Sequence, residues 1–216
     1  MSMVSVRRPQ SMTNSQLQML MRQLHSKAGI RIETPRSIIE RNVQDRMAAL
    51  GLGNTGDYFS ILGDSITARA EWLALIDLLS VKETRFFRQP AALDAVAEYL
   101  GKLLVQREEE NLTFWSAGCS TGQELFSIAM VADQLCAGLE QAPEWHGIGT
   151  DISFHAVNQS QLARYPESAL QSVPAGFRAR YFYGLESGDW QLADRIRERC
   201  HFFTSNLLHV ESAPFS

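Results

Sequence analysis

Leu112-Thr113-Phe114-Trp115-Ser116-Ala117-Gly118-Cys119-Ser120-Thr121-Gly122 is the stretch whose reading decides the fold. Leu112 to Ala117 is a short apolar run, the signature of a strand buried inside a sheet. Gly118 to Gly122 is a loop of small residues, and Gln123 to Leu139 reads as a strong helix. Trp145 to Thr150 is a second apolar strand ending in Asp151, followed by a helix from Phe154 to Ala163. Strand, loop, helix, strand and helix in this order argue for an α/β fold with a parallel, doubly wound sheet.

Working upstream, Ala91 to Gln106 reads as an amphipathic helix with Leu93, Val96, Ala97, Leu100 and Leu104 inward, and Glu108 to Asn111 as a polar turn. Before Pro90 the pattern is helical. Thr13-Asn14-Ser15 offers N-cap chemistry ahead of Leu17, Leu20, Met21 and Leu24, and Gly29 supplies a stop. Thr34-Pro35 opens a second helix with Ile38, Ile39, Val43, Met47 and Leu50 on one face. Shorter helices are expected through Tyr58 to Leu62 and over Ala68 to Leu79. The expected organisation is a disordered lead-in at 1–12, a helical domain at 13–80, a linker at 81–91 and an α/β domain at 92–216. Downstream, Tyr181-Phe182-Tyr183, a Gly188-Asp189 turn, Trp190-Gln191-Leu192 and Cys200 to Phe203 read as short antiparallel strands. They predict a small β-subdomain near residues 178–204, with a further strand entering Asn206-Leu207-Leu208.

Composition sets outer bounds. The 216 residues are 45% hydrophobic and 20% charged, enough for a sizeable core, which excludes a disordered tail or a disulfide-stapled miniprotein. No apolar run reaches membrane-spanning length, and no apolar stretch follows Arg7 and Arg8 to make a secretory signal. Cys119, Cys136 and Cys200 lack metal-ligand spacing and fit reduced thiols in a cytoplasm. Charge is uneven. Residues 1–50 hold eight Lys/Arg against three acids, and the remainder twelve against 21. A basic front joined to an acidic remainder suggests two units with different partners, although a solvated helix face reads the same way.

The loop after the first strand is where chemistry would sit. Small residues let a ligand approach the backbone, and the following helix offers free N–H groups. The loop is not G-x-G-x-x-G and lacks the Lys of a nucleotide-triphosphate loop. A plain αβ turn remains an equal reading. Asp151 ends the second strand, where an acid grips ribose hydroxyls in doubly wound folds, or caps the next helix as Asp151 or Ser153 could. Together they imply an adenosine-type ligand without pyrophosphate. S-adenosylmethionine is the natural candidate, and Glu124 suits its positive charge. Cys119 reads as a small packing residue. His25, His146, His155, His201 and His209 are scattered and take no catalytic role.

Four segments then resemble one family, the CheR-type chemotaxis-receptor glutamate methyltransferases. They are Glu83-Thr84-Arg85-Phe86-Phe87-Arg88, Phe114 to Met130, Thr150-Asp151-Ile152-Ser153 with Arg164-Tyr165-Pro166, and Asn206-Leu207-Leu208. Their order and spacing match over residues 15–208. The resemblance implies an N-terminal all-α domain followed by a Rossmann-like S-adenosylmethionine methyltransferase domain with a small antiparallel β-subdomain. It implies S-adenosyl-L-methionine as cofactor and S-adenosyl-L-homocysteine as product. The implied substrate is glutamate on the cytoplasmic helical region of methyl-accepting chemoreceptors. A cytoplasmic monomer is expected, with no nucleic-acid partner, no membrane insertion and no metal.

Carried over by motif, Lys82, Thr84 and Arg88 contact the cofactor from the linker, with Arg88 also catalytic, close to the transferred methyl. Ala117 and Gly118 lie in the cofactor loop and Glu124 holds the amino group. Asp151 holds the ribose beside Ile152, and Asn206 and Leu207 border the adenine. The family has Asn where Lys82 stands, and continues beyond Asn-Leu-Leu with a strand and a further cofactor segment that would follow Ser216. The expected methyltransferase domain is therefore C-terminally truncated. That leaves a second reading open, a non-catalytic cofactor-binding or receptor-binding module.

Overall fold

The computed structural model describes residues 11–30, 34–64, 66–80, 83–106 and 111–208. Lys82, Arg7, Arg8, His209 and nearly all of the expected lead-in lie outside the described residues. The chain divides into two compact units, Met1–Val81 and Lys82–Ser216.

The first unit holds α1 (Asn14–Ala28), α2 (Arg36–Ala49), α3 (Thr55–Gly63) and α4 (Ala68–Leu79). Thr13 caps α1 in a reciprocal box with Gln16, and Gly29 ends it in the left-handed region at φ 67°. Leu20, Leu24, Ile39, Val43, Met47, Tyr58, Leu75 and Leu79 are buried. A buried acid, Glu71, takes two bonds from the Arg46 guanidinium at 2.9 and 2.7 Å and one from the Tyr58 hydroxyl at 2.7 Å. Burial and the Glu71 carboxylate push the Tyr58 phenol well above its ordinary range. Arg46 is thus engaged inside the unit, and Arg36 is paired with Glu40 at 2.9 Å. Two charges of the basic front therefore already have partners.

The second unit begins with α5 (Pro90–Gln106), β1 (Asn111–Ala117), α6 (Gln123–Cys136), β2 (Glu144–Asp151) and α7 (Phe154–Leu162). The α6 helix ends three residues before the expected Leu139, where Gly138 weakens continuation. Gly122 precedes α6 at φ 91°, and a Cβ there would lie 2.9 Å from both Phe126 and Ser160, so only glycine lets α6 and α7 pack this closely.

Downstream the structure corrects the sequence reading. Cys200–Thr204, labelled β6, does not belong to the β-subdomain. It pairs in parallel with β2, Gly147 opposite Cys200 and Asp151 opposite Thr204, giving a sheet of order β1-β2-β6. The small antiparallel sheet instead joins β3 (Arg164–Tyr165), β5 (Trp190–Leu192) and β4 (Phe182–Gly184), with β5 central. It therefore starts earlier and ends sooner than the 178–204 expected. Tyr181 is the last residue of α8 (Ala175–Tyr181), not of a strand, and α9 (Asp194–Arg197) separates β5 from β6. Leu207 and Leu208 form a short 3-10 turn rather than a strand. Both β5 and β6 are short, three and five residues, and each mixes apolar with polar side chains. Which sheet each joins depends on long-range pairing, which periodicity does not carry.

One core serves this unit. Leu125, Phe126, Ala129 and Met130 of α6 meet Trp145, Tyr165, Leu192, Ile196 and Phe202 in it. Both strands that matter for the site, β1 and β2, end on the same side, because all three strands of the larger sheet run parallel.

Candidate functional site

The carboxyl ends of β1 and β2 meet at the small-residue loop. The Gly118 and Cys119 N–H groups donate to the Thr150 carbonyl at 2.8 and 2.9 Å, drawing the loop over the end of β2. Asp151 then organises the loop with both carboxylate oxygens. Oδ2 accepts from the Ser120 N–H at 2.7 Å and Oδ1 from the Ser153 N–H at 2.9 Å. Ser120 sits at φ 49°, a conformation that costs a non-glycine residue free energy and that the Asp151 bond offsets. The cap of α7 is Ser153, whose hydroxyl accepts from the Ala156 N–H at 3.0 Å. Asp151 is therefore a loop organiser and not the helix cap.

Glu124 stands in the first turn of α6, where a carboxylate is favoured. Its Oε1 accepts from the Ser116 hydroxyl at 2.7 Å, so the end of β1 aims the acid. Gly118 has φ 75°, and a Cβ built there meets nothing within 4 Å, so its backbone faces open space. On the other flank, the Ser205 N–H bonds the Asp151 carbonyl at 2.8 Å, which brings Asn206 to the same end of the sheet. Asn206 Oδ1 accepts from the Leu208 N–H at 3.0 Å, and Leu207 is exposed. Ala117, Gly118, Glu124, Asp151, Ile152, Asn206 and Leu207 thus all lie at or just beyond the carboxyl ends of β1, β2 and β6, the usual ligand position in open α/β sheets.

The linker segment is anchored separately. Phe86 is fully buried, edge-on to Tyr165 at 4.9 Å and to Phe182 at 5.3 Å. Phe87 lies at φ 51°, and its N–H donates to the Ser127 hydroxyl at 3.0 Å, one turn of α6 beyond Glu124. Ser127 in turn donates to the Gln123 carbonyl at 2.6 Å. The exposed Arg88 folds back on its own segment, donating to the Glu83 carbonyl at 2.9 Å with Glu83 Oε1 at 3.7 Å. Thr84 lines a surface cavity beside Ser168 and Ser172. The structure thus groups the loop and strand-end residues, and leaves Thr84 and Arg88 on their own segment. Lys82 lies outside the described residues.

Residues 82–216 match the model of the CheR methyltransferase SAM-binding domain. The chain belongs to the CheR methyltransferase family. S-adenosyl-L-methionine is therefore the cofactor of this domain. A "Chemotaxis protein methyltransferase" of Borreliella burgdorferi is 26% identical over 211 residues, covering 95% of this chain and 74% of that protein. One of the same description from Salmonella typhimurium is 28% identical, covering 87% of this chain and 64% of that protein. The "Probable biofilm formation methyltransferase WspC" of Pseudomonas putida is 34% identical, covering 88% of this chain and 44% of that protein. The chain thus spans less than two thirds of the last two.

These residues fit the cofactor's chemistry. The ligand carries a sulfonium and an ammonium, and two carboxylates, Glu124 and Asp151, stand at this end of the sheet. It also carries ribose hydroxyls, which a strand-end carboxylate accepts. The open side of Gly118 leaves room for close approach to the backbone.

Sequence reading missed the supports. Ser116, Ser120, Ser127 and Tyr165 position the site, the last by donating to the Thr121 carbonyl at 2.7 Å. Tyr165 is fully enclosed, and burial holds its phenol well above the ordinary range. The only signal was the density of Ser and Thr around the loop, which does not say what each hydroxyl holds. Burial, followed by the nearby Asp151 charge, pushes the Cys119 thiol up to about 12, which leaves it protonated and supports its reading as packing. Among the described residues no His/Cys/Asp/Glu group could hold a metal, and no helix is long and apolar enough to cross a membrane.

Proposed function

We propose that this chain is the catalytic portion of a protein-glutamate O-methyltransferase, moving a methyl group to glutamate side chains of chemoreceptors in chemosensory adaptation. The observation that carries the reading is the pair of acids at the β1 and β2 ends, with Glu124 set by Ser116 and Asp151 clamped by two backbone N–H groups. The chemotaxis methyltransferases it resembles support the pathway.

When bound, S-adenosyl-L-methionine supplies a methyl group on a sulfonium, an already activated leaving group. Glu124 would hold its amino group and Asp151 its ribose, with Asn206 and Leu207 beside the adenine. A glutamate acceptor is ionised at neutral pH, so no residue need act as a strong general base. The work left to the protein is alignment and exclusion of water. Arg88 supplies the orienting charge. Its guanidinium uses one N–H on the Glu83 carbonyl and keeps further donors for a substrate carboxylate. The basic front of the first unit favours an acidic, helical partner through faster encounter.

Transfer of labelled methyl from S-adenosyl-L-methionine to receptor fragments, released as methanol by base, tests the reading. Base-labile label on glutamate is expected. Cofactor binding without transfer by the full-length protein would leave a binding module instead.

A further inference from the structure

A cavity of about 310 Å³ opens between the linker residues Thr84 and Arg85 and the segment carrying Ser168, Ala169, Gln171 and Ser172. None of its lining residues is among those at the strand ends. Five of its six lining residues are polar, and one is a cation. Among the described residues, none of those five side chains is spent on a hydrogen bond or ion pair within the protein. The acids beside the lining residues in sequence, Glu83 and Glu167, are engaged elsewhere. Glu83 faces Arg88 at 3.7 Å, and Glu167 takes a bond from Arg178 at 2.6 Å that holds its carboxyl below the ordinary range. Arg85 is therefore an uncompensated guanidinium among two serine hydroxyls, a threonine hydroxyl and an amide. That donor set matches a carboxylate.

The position matters as much as the chemistry. Arg85 lies three residues before Arg88, on a segment pinned by the burial of Phe86 and by the Phe87 bond to Ser127. The wall opposite belongs to the 3-10 turn Glu167–Leu170 and the residues after it. That turn is tied to the same core through Leu170 and Val173.

We propose that this cavity receives a second acidic side chain of the protein substrate, near in space to the glutamate that Arg88 orients. The inference rests on the methyl-transfer reading above. It makes Arg85 a specificity residue, one that selects acidic surroundings of the accepting glutamate without touching the reacting atoms.

The test uses the full chain and two synthetic helical peptides with one accepting Glu. They differ at one neighbouring position, Glu in the first and Gln in the second. Wild type should show a KM about tenfold lower for the first, with equal kcat. Arg85→Ala should remove that preference by raising KM for the first peptide alone, with cofactor affinity unchanged, and Arg85→Lys should restore part of it. An equal effect on both peptides overturns the proposal. So does a loss of cofactor affinity with KM unchanged, which would assign the cavity to the cofactor's own carboxylate. Fluorescence anisotropy with the same labelled peptides separates the two readings. An Arg85-dependent binding preference without methyl transfer keeps the cavity and sinks the activity. Transfer indifferent to Arg85 does the reverse.

Discussion

The backbone N–H of Ser120 donates to Asp151 Oδ2 at 2.7 Å, tying the loop after β1 to the last residue of β2. The other oxygen of the same carboxylate takes the Ser153 N–H, so one side chain holds the loop and the start of α7 together. Asp151→Asn keeps the shape but turns an NH₂ against one of these donors. Binding of S-adenosyl-L-methionine should weaken at least tenfold by calorimetry, a loss of about 1.4 kcal/mol. Wild-type affinity in this variant would remove Asp151 from the site.

Glu124 is held by Ser116 at 2.7 Å. If it takes the amino group, S-adenosyl-L-methionine and S-adenosyl-L-homocysteine should lose affinity equally in Glu124→Gln, by about tenfold for a charge-assisted bond. A loss confined to the methylated form would move Glu124 to the sulfonium. Ser116→Ala should show a smaller loss in the same direction, since the carboxylate stays but is no longer aimed.

Ser127→Ala removes the acceptor for the Phe87 N–H at a residue already in the left-handed region. Leaving that donor without a partner should cost about 1–3 kcal/mol of stability in denaturant unfolding. Turnover should fall further than cofactor affinity, because the segment that carries Arg88 loses its anchor while the strand-end residues stay in place. Equal losses in turnover and affinity would show that the segment and the strand-end residues form one rigid site.

Burial pushes the Cys119 and Cys200 thiols up to about 12, from an ordinary value of 9.0. A raised folded value means the contribution to stability is fully present below about pH 9 and is lost as pH rises toward 12. Thermal unfolding followed from pH 8 to 11 should show falling stability, flatter in Cys200→Ala. In the folded protein both thiols should resist alkylation at pH 8 and react once denaturant is added. Rapid alkylation of the native chain would contradict their burial.

The loop, the helix after it and the first two strands were legible because they are local. A run such as Leu112 to Ala117, a cluster of small residues and Gln123 onward each state their own structure through period and composition. Even so, β1 is not the buried strand its apolar run suggested: it is the first strand in the order β1-β2-β6, and Thr113, Trp115 and Ala117 are exposed. The β-subdomain was only half legible. Trp190 to Leu192 and Cys200 to Thr204 are both short and mixed, and nothing within either says that one pairs antiparallel with Phe182 and the other parallel with Gly147.

The sequence by itself determined the helical front, the α/β order and the family, and it named Gly118, Glu124, Asp151 and Arg88 as the residues proposed for the site. Only the tertiary structure decided that Asp151 clamps Ser120 instead of capping α7, that Ser116 aims Glu124, and that Arg46 is spent on Glu71. It also decided that Thr84 and Arg85 line a surface cavity. The physical reason is the same in each case. A hydrogen bond between residues 8, 25 or 31 positions apart depends on how strands and helices are brought together, and that is a property of packing, which no local pattern encodes.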